Sequence, residues 1–198
     1  METNNTKTMR QSKTRTTTES ALLIALATIL GMFAVFKLPN GGSVTIGSMI
    51  PIMLISMKYP FGWSLLSAFA YSLIQMMSGF YAPPVENLLY YSLMIALDYV
   101  VAFSVLCLAG PLLRAFNKVM PERMAMLFAV VFCFALRFLC HFASGIIIWG
   151  VYAPPGQAVW LYSLLYNGTY MLGEAIVSGA ILLVAGPQLL KILRSGNN

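Results

Sequence analysis

Ala125-Met-Leu-Phe-Ala-Val-Val-Phe-Cys-Phe-Ala-Leu-Arg137-Phe-Leu-Cys-His141-Phe-Ala-Ser-Gly145-Ile-Ile-Ile-Trp149 carries one charged residue and one histidine in an otherwise apolar run. About 20 apolar residues suffice for a helix to cross the hydrocarbon core of a bilayer. The stretch is long enough, so it reads as a transmembrane helix. Arg137, His141, Gly145 and Trp149 recur every four residues and share one face of it.

The rest of the chain repeats the pattern. Apolar runs cover Ala21 to Phe36, Val44 to Met57, Phe61 to Phe80, Asn87 to about Leu113, and Trp160 to about Leu190. The second is short and contains Pro51, so it is expected to be tilted, kinked or partly re-entrant. Over 198 residues, 59% are hydrophobic, 9% are charged and the mean hydropathy is +0.79. Soluble domains carry about 25% charged residues. A cytosolic enzyme, a nucleic-acid module and a disordered protein are excluded. The expected fold is an all-α membrane protein, a bundle of six transmembrane helices. Lys37-Leu-Pro-Asn-Gly-Gly after the first run is no cleavage site, so that helix reads as retained. The expected organisation is a flexible tail over 1–19, one membrane domain over 20–190 and a second tail over 191–198.

With six spans both termini lie on one side. That side holds ten basic residues: Lys7, Arg10, Lys13, Arg15, Lys58, Arg114, Lys118, Arg123, Lys191 and Arg194. The other side holds Lys37 alone. The positive-inside rule makes both termini cytoplasmic. The net charge of +6 is explained by topology, and the basic residues form no stripe for nucleic acid. Cys107, Cys133 and Cys140 sit in apolar runs with no CxxC or histidine cluster, so they read as core residues and no metal is expected. Tyr81-Ala-Pro-Pro84 and Tyr152-Ala-Pro-Pro155 read as two rigid turns on the outer face.

Ionisable groups at mid-membrane are costly, at least about 2.5–3.5 kcal/mol each on insertion scales. Asp98, Arg137 and Glu174 have no topological role, and His141 joins them. At about 1.5 Å per residue, Asp98 lies ~18 Å below Glu86, Arg137 ~20 Å and His141 ~14 Å below Gly150, and Asn167 ~15 Å below Gln157. These four fall in one layer. Glu174 lies ~26 Å down, where it pairs with Arg137 or serves the inner side, and is placed outside the site. Ser163, Asn167, Tyr170 and Glu174 share one face of the last span. An Asp98–Arg137 ion pair and an interfacial belt of Trp149, Tyr152, Trp160 and Tyr162 are the structural alternatives. The functional reading is an outward-open, aromatic-lined pocket with one carboxylate, suited to a flat cationic ligand. No P-loop, HExxH or GxSxG is present, and no nucleophile accompanies His141, so the chain is expected not to be an enzyme.

Leu136-Arg-Phe-Leu-Cys-His-Phe-Ala-Ser-Gly-Ile-Ile-Ile-Trp149, Tyr152-Ala-Pro-Pro-Gly156 and Val159-Trp-Leu-Tyr-Ser-Leu-Leu-Tyr-Asn167 together resemble the thiamine-specific S component of energy-coupling factor transporters. So do Gly41-Gly-Ser-Val-Thr-Ile46, Ile50-Pro-Ile-Met-Leu-Ile-Ser56 and Leu97-Asp-Tyr-Val-Val-Ala-Phe103. The resemblance implies a six-helix subunit of the bacterial cytoplasmic membrane that captures thiamine outside. It then docks on a transmembrane T subunit and two ATPase subunits. This chain itself would need no cofactor, ATP being used by those partners. The resemblance makes Asp98, Tyr99, Arg137, His141, Gly145, Trp149, Tyr162 and Asn167 the substrate-binding residues, with Gly145 leaving room for the ligand. It makes Ala21 and Ala25 the contact with the T subunit. Some relatives place tryptophans where this chain has Gly42 and Pro154. The competing readings are the same fold for another vitamin or a thiamine precursor, a small intramembrane enzyme using His141 and Asp98, or a structural subunit without a ligand.

Overall fold

A computed structural model describes the backbone of residues 2–195 and the side chains of residues 13–195. Six helices follow in order: α1 Glu2–Met32, α2 Ile50–Lys58, α3 Phe61–Ser78, α4 Leu88–Phe116, α5 Glu122–Ile147 and α6 Val159–Ser195. Among the described residues three of them, α4, α5 and α6, are long and apolar enough to cross a membrane. The buried face of α5 runs Met126, Val130, Cys133, Arg137, His141, Ser144. Its opposite face exposes Phe128, Val131, Phe132 and Leu139. A helix apolar on its exposed side is stable only where that side meets apolar surroundings.

Helix α1 is already formed where the sequence predicts a tail ending at Glu19. The Thr17 and Thr18 hydroxyls donate to the carbonyls one turn back, of Lys13 and Thr14, and Arg15 pairs with Glu19 four residues on. Lys7 and Arg10 lie outside the described side chains, as do residues 196–198 at the other end.

The all-helical expectation needs one correction. The first apolar run does not stay helical to Phe36. It leaves α1 at Met32 and enters a two-stranded antiparallel hairpin, β1 Ala34–Lys37 with β2 Ser43–Thr45. Phe36 faces Val44 and Lys37 faces Ser43, with a bulge between Ala34 and Phe36. The reversal needs left-handed backbone at Asn40 (φ 63°) and Gly41 (φ 102°), residue types that tolerate it.

Helix α2 is the molecule's central strut. Every residue from Ile50 to Met57 is buried, and it packs on α1, α3, α4 and α6. Nine residues rise only about 14 Å, so α2 cannot span a bilayer unaided.

Helix α4 departs from α geometry twice. A π-helical turn covers Ile95–Val101, with Asp98 inside it. A 3-10 turn follows at Val105–Leu108, just before Pro111. Proline has no N–H to offer the carbonyl four residues back, which is that of Cys107. The Ser56 hydroxyl of α2 donates to that carbonyl and accepts the Gly110 N–H at 2.8 Å. Gly110 permits this contact: a Cβ there would lie 1.9 Å from the Ser56 carbonyl oxygen.

At the end of the bundle away from the hairpin, Glu19 ties three elements. Its carboxylate accepts from Lys58 and Tyr59 through Oε2 and from Arg15 through Oε1. Lys58 also donates to the Leu193 carbonyl near the end of α6. Burial pushes the Glu19 carboxyl up, but hydrogen bonds from Lys58, Tyr59 and Arg15 outweigh it and hold it down at about 2.

Candidate functional site

A cavity of about 370 Å³ opens between the hairpin and helices α1, α3, α4, α5 and α6. That is within the ~300–1,000 Å³ usual for small-molecule pockets. All eight residues expected to bind substrate line it, from Asp98 and Tyr99 on α4 to Tyr162 and Asn167 on α6.

Asp98 is the hub. Its Oδ1 lies 3.0 Å from His141 Nδ1, and its Oδ2 accepts from Ser144 Oγ at 2.6 Å and Trp149 Nε1 at 2.9 Å. Arg137 is not its partner. The Arg137 guanidinium lies over the Phe103 ring, 4.0 Å from its centroid, and donates to Met49 Sδ and to His141 Nε2 at 3.4 Å. The Asp98–Arg137 ion pair is therefore absent. An imidazole that accepts at Nε2 carries its proton on Nδ1, so His141 donates to Asp98.

Helix α5 stops at Ile147, so Trp149 sits just past it, and its indole stacks on Tyr152 at 6.3 Å. The stretch after α5 thus supplies an aromatic face whose N–H is pinned to the carboxylate. Ser144, fully buried, accepts the same N–H at 3.1 Å and ties indole to carboxylate. It was not among the expected site residues.

The other expected residues have specific jobs. Tyr99 donates to the Gly79 carbonyl at 2.7 Å and accepts the Tyr81 N–H at 3.3 Å, tying α4 to the loop after α3. Asn167 is fully engaged: Nδ2 reaches the His141 and Ser163 carbonyls, and Oδ1 accepts from Tyr170 at 2.8 Å. Tyr162 stacks on Tyr166. Gly145 serves helix packing: a Cβ there would fall 2.1 Å from Ser163 Oγ, so the missing side chain makes room for α6 before any ligand. Ala21 and Ala25 are exposed on α1, beside the exposed Leu22 and Leu26. Cys107 and Cys133 are buried, Cys140 is half-buried, and all three are free.

Glu174, set apart from the site in the sequence reading, also lines the cavity. It is fully buried. Its Oε1 accepts the N–H and Oγ1–H of Thr45, each at 2.7 Å. The shared helix face of Asn167, Tyr170 and Glu174 was the signal that pointed to it. Thr45, Ser48 and Met49, from the hairpin and the turn into α2, had no such signal.

Comparison with known proteins gives a consistent picture. The family model described as "Thiamine transporter protein (Thia_YuaJ)" matches residues 17–193. The thiamine transporter ThiT of Bacillus subtilis (strain 168) is 35% identical over 188 residues, 87% of this chain and 92% of that protein. ThiT of Lacticaseibacillus paracasei is 36% identical over 103 residues, 47% of this chain and 51% of that protein. The solved structure of ThiT from Listeria monocytogenes shares the fold, with a TM-score of 0.72 at 23% identity, covering 90% of this chain and 98% of that one.

Proposed function

The chain belongs to the thiamine transporter protein family, and on that premise we propose that it captures thiamine as the S component of an energy-coupling factor transporter. It is a transporter subunit, not an enzyme. The observation that carries the ligand assignment is the convergence of Asp98, His141, Trp149 and Tyr162 on one cavity. Asp98 supplies negative charge, held in place by three hydrogen bonds. Trp149 and the Tyr162–Tyr166 stack supply faces for a flat cation, where cation–π contact contributes about 0.5–2 kcal/mol each. Gly42 fits this arrangement. A Cβ there would meet the Tyr170 ring at 2.7 Å, so a tryptophan has no room and the tyrosines of α6 take its place.

The wider assignment follows from the same premise. Six helices in the bacterial cytoplasmic membrane place both termini in the cytoplasm and the hairpin outside. ATP is hydrolysed by two partner ATPase subunits, and a T subunit meets α1 at Ala21 and Ala25, where small residues allow close helix contact.

The test is equilibrium binding of thiamine to the detergent-purified chain, followed by tryptophan quenching. Saturable binding below micromolar thiamine is expected, resistant to riboflavin and biotin. Asp98→Asn and His141→Ala should each weaken it by on the order of tenfold or more, since each removes a charge-assisted hydrogen bond of about 1.5–3 kcal/mol. Wild-type affinity in both variants would refute this pocket.

A further inference from the structure

Glu174 is the intramembrane acid that the pocket described above leaves without a role. Three charged side chains line the cavity within the helices: Asp98 on α4, Arg137 on α5 and Glu174 on α6. Asp98 is fully committed to His141, Ser144 and Trp149. Arg137 is buried, yet among the described residues no carboxylate lies within 4.0 Å of it. Neutral groups hold it: the Phe103 ring, Met49 Sδ and His141 Nε2. Glu174 is fully buried, and while Oε1 is anchored by Thr45, Oε2 has no hydrogen-bond partner among the described residues.

The charges do not balance. His141 accepts at Nε2, so it is the neutral tautomer and adds nothing. Among the buried groups one guanidinium stands against two carboxylates, with the cavity's other cation, Lys37, exposed to solvent on β1, which leaves one net negative charge with Glu174 ionised. In a low-dielectric interior such an excess acts across the whole cavity, not only at contact distance. A buried carboxylate oxygen without a partner is costly by the same physics. An incoming single positive charge removes the imbalance, and a neutral molecule of the same shape does not.

We propose that Glu174 is a specificity-determining residue that gives the buried cluster its net negative charge and thereby selects a monocationic ligand, without touching it. This rests on the thiamine-binding reading, since the probe is thiamine. Glu174→Gln is a clean test. It keeps an Oε1 to accept from Thr45 and removes the charge, with an amide NH2 in the place of Oε2.

Affinities are measured for thiamine and for a neutral isostere whose thiazolium is replaced by thiophene. The wild-type protein should prefer thiamine by on the order of tenfold or more. In Glu174→Gln that ratio should fall by about tenfold. Glu174→Asp, which keeps the charge, should retain the ratio even if both affinities drop. Thr45→Val, which loosens the anchor, should affect both ligands alike. An equal loss for both ligands in Glu174→Gln, or no loss, overturns the proposal. If Glu174→Gln does not fold, the wild-type ratio decides, and a value near one overturns it. Failure of the wild-type protein to bind thiamine at all would instead refute the proposed function.

Discussion

Ser144 shows how much one hydroxyl can organise. It donates to the Asp98 carboxylate and accepts from the Trp149 indole, so it fixes the charged and aromatic walls relative to each other. Removing it leaves the direct Trp149–Asp98 and His141–Asp98 bonds but takes away the hydroxyl that sets the angle between indole and carboxylate. Ser144→Ala is expected to weaken thiamine binding by about fivefold to tenfold, the worth of one buried hydrogen bond. It should also shift the tryptophan emission of the empty protein, because the indole N–H loses one of its two acceptors. Unchanged emission together with unchanged affinity would show that Ser144 only fills space. Ser144 was invisible as a site residue because a serine on an apolar helix is most often an inert small residue. Asp98, Arg137 and His141 were legible for the opposite reason, since ionisable groups are too costly at that depth to be accidental.

At the level of elements, the splice between α2 and α4 contributes to stability. Pro111 withholds a hydrogen bond from the Cys107 carbonyl, and Ser56 restores it from a neighbouring helix. Ser56→Ala removes the hydroxyl that bonds both that carbonyl and the Gly110 N–H, at about 1–3 kcal/mol for a buried polar group left unpaired, so a clear fall in Tm is expected in detergent. Ser178 is the matched control. It is also fully buried, but its hydroxyl has no partner among the described residues, so Ser178→Ala should be neutral or slightly stabilising. Equal effects of the two substitutions would refute the splice. The long apolar runs predicted α3, α4, α5 and α6 closely. The hairpin was not legible, because Ala34-Val-Phe extends the hydrophobic run of α1 without a break and a strand this short has no period of its own. The partner of Arg137 was not legible either. A π turn adds a residue to the helix and changes its phase, so spacing arguments do not carry across Ile95–Val101.

For the whole molecule, the Glu19 junction joins α1, the end of α2 and the end of α6 at the far end from the cavity. Its carboxyl is held at about 2, below its ordinary value near 4.5. A lowered carboxyl contributes stability that is complete above about 4.5 and lost as the pH falls towards 2. Thermal unfolding of the wild-type protein should therefore weaken across that window. Glu19→Gln should flatten part of this dependence and lower Tm at neutral pH. An unchanged pH profile in Glu19→Gln would show that other carboxylates are responsible. The junction was only half legible: Lys58 was counted for topology, and nothing in its surroundings announced that it would join Glu19 to the Leu193 carbonyl.

The brevity and burial of α2 have a consequence for how the chain is made. A nine-residue helix hidden along its length cannot be inserted as an independent span, and its Ser56 finds its two hydrogen-bonding partners only on α4, more than fifty residues later in the chain. During synthesis α2 is a passenger, waiting for a groove that does not yet exist. The element at the centre then settles only after α4 has been made, and errors in biogenesis should strand α2 first.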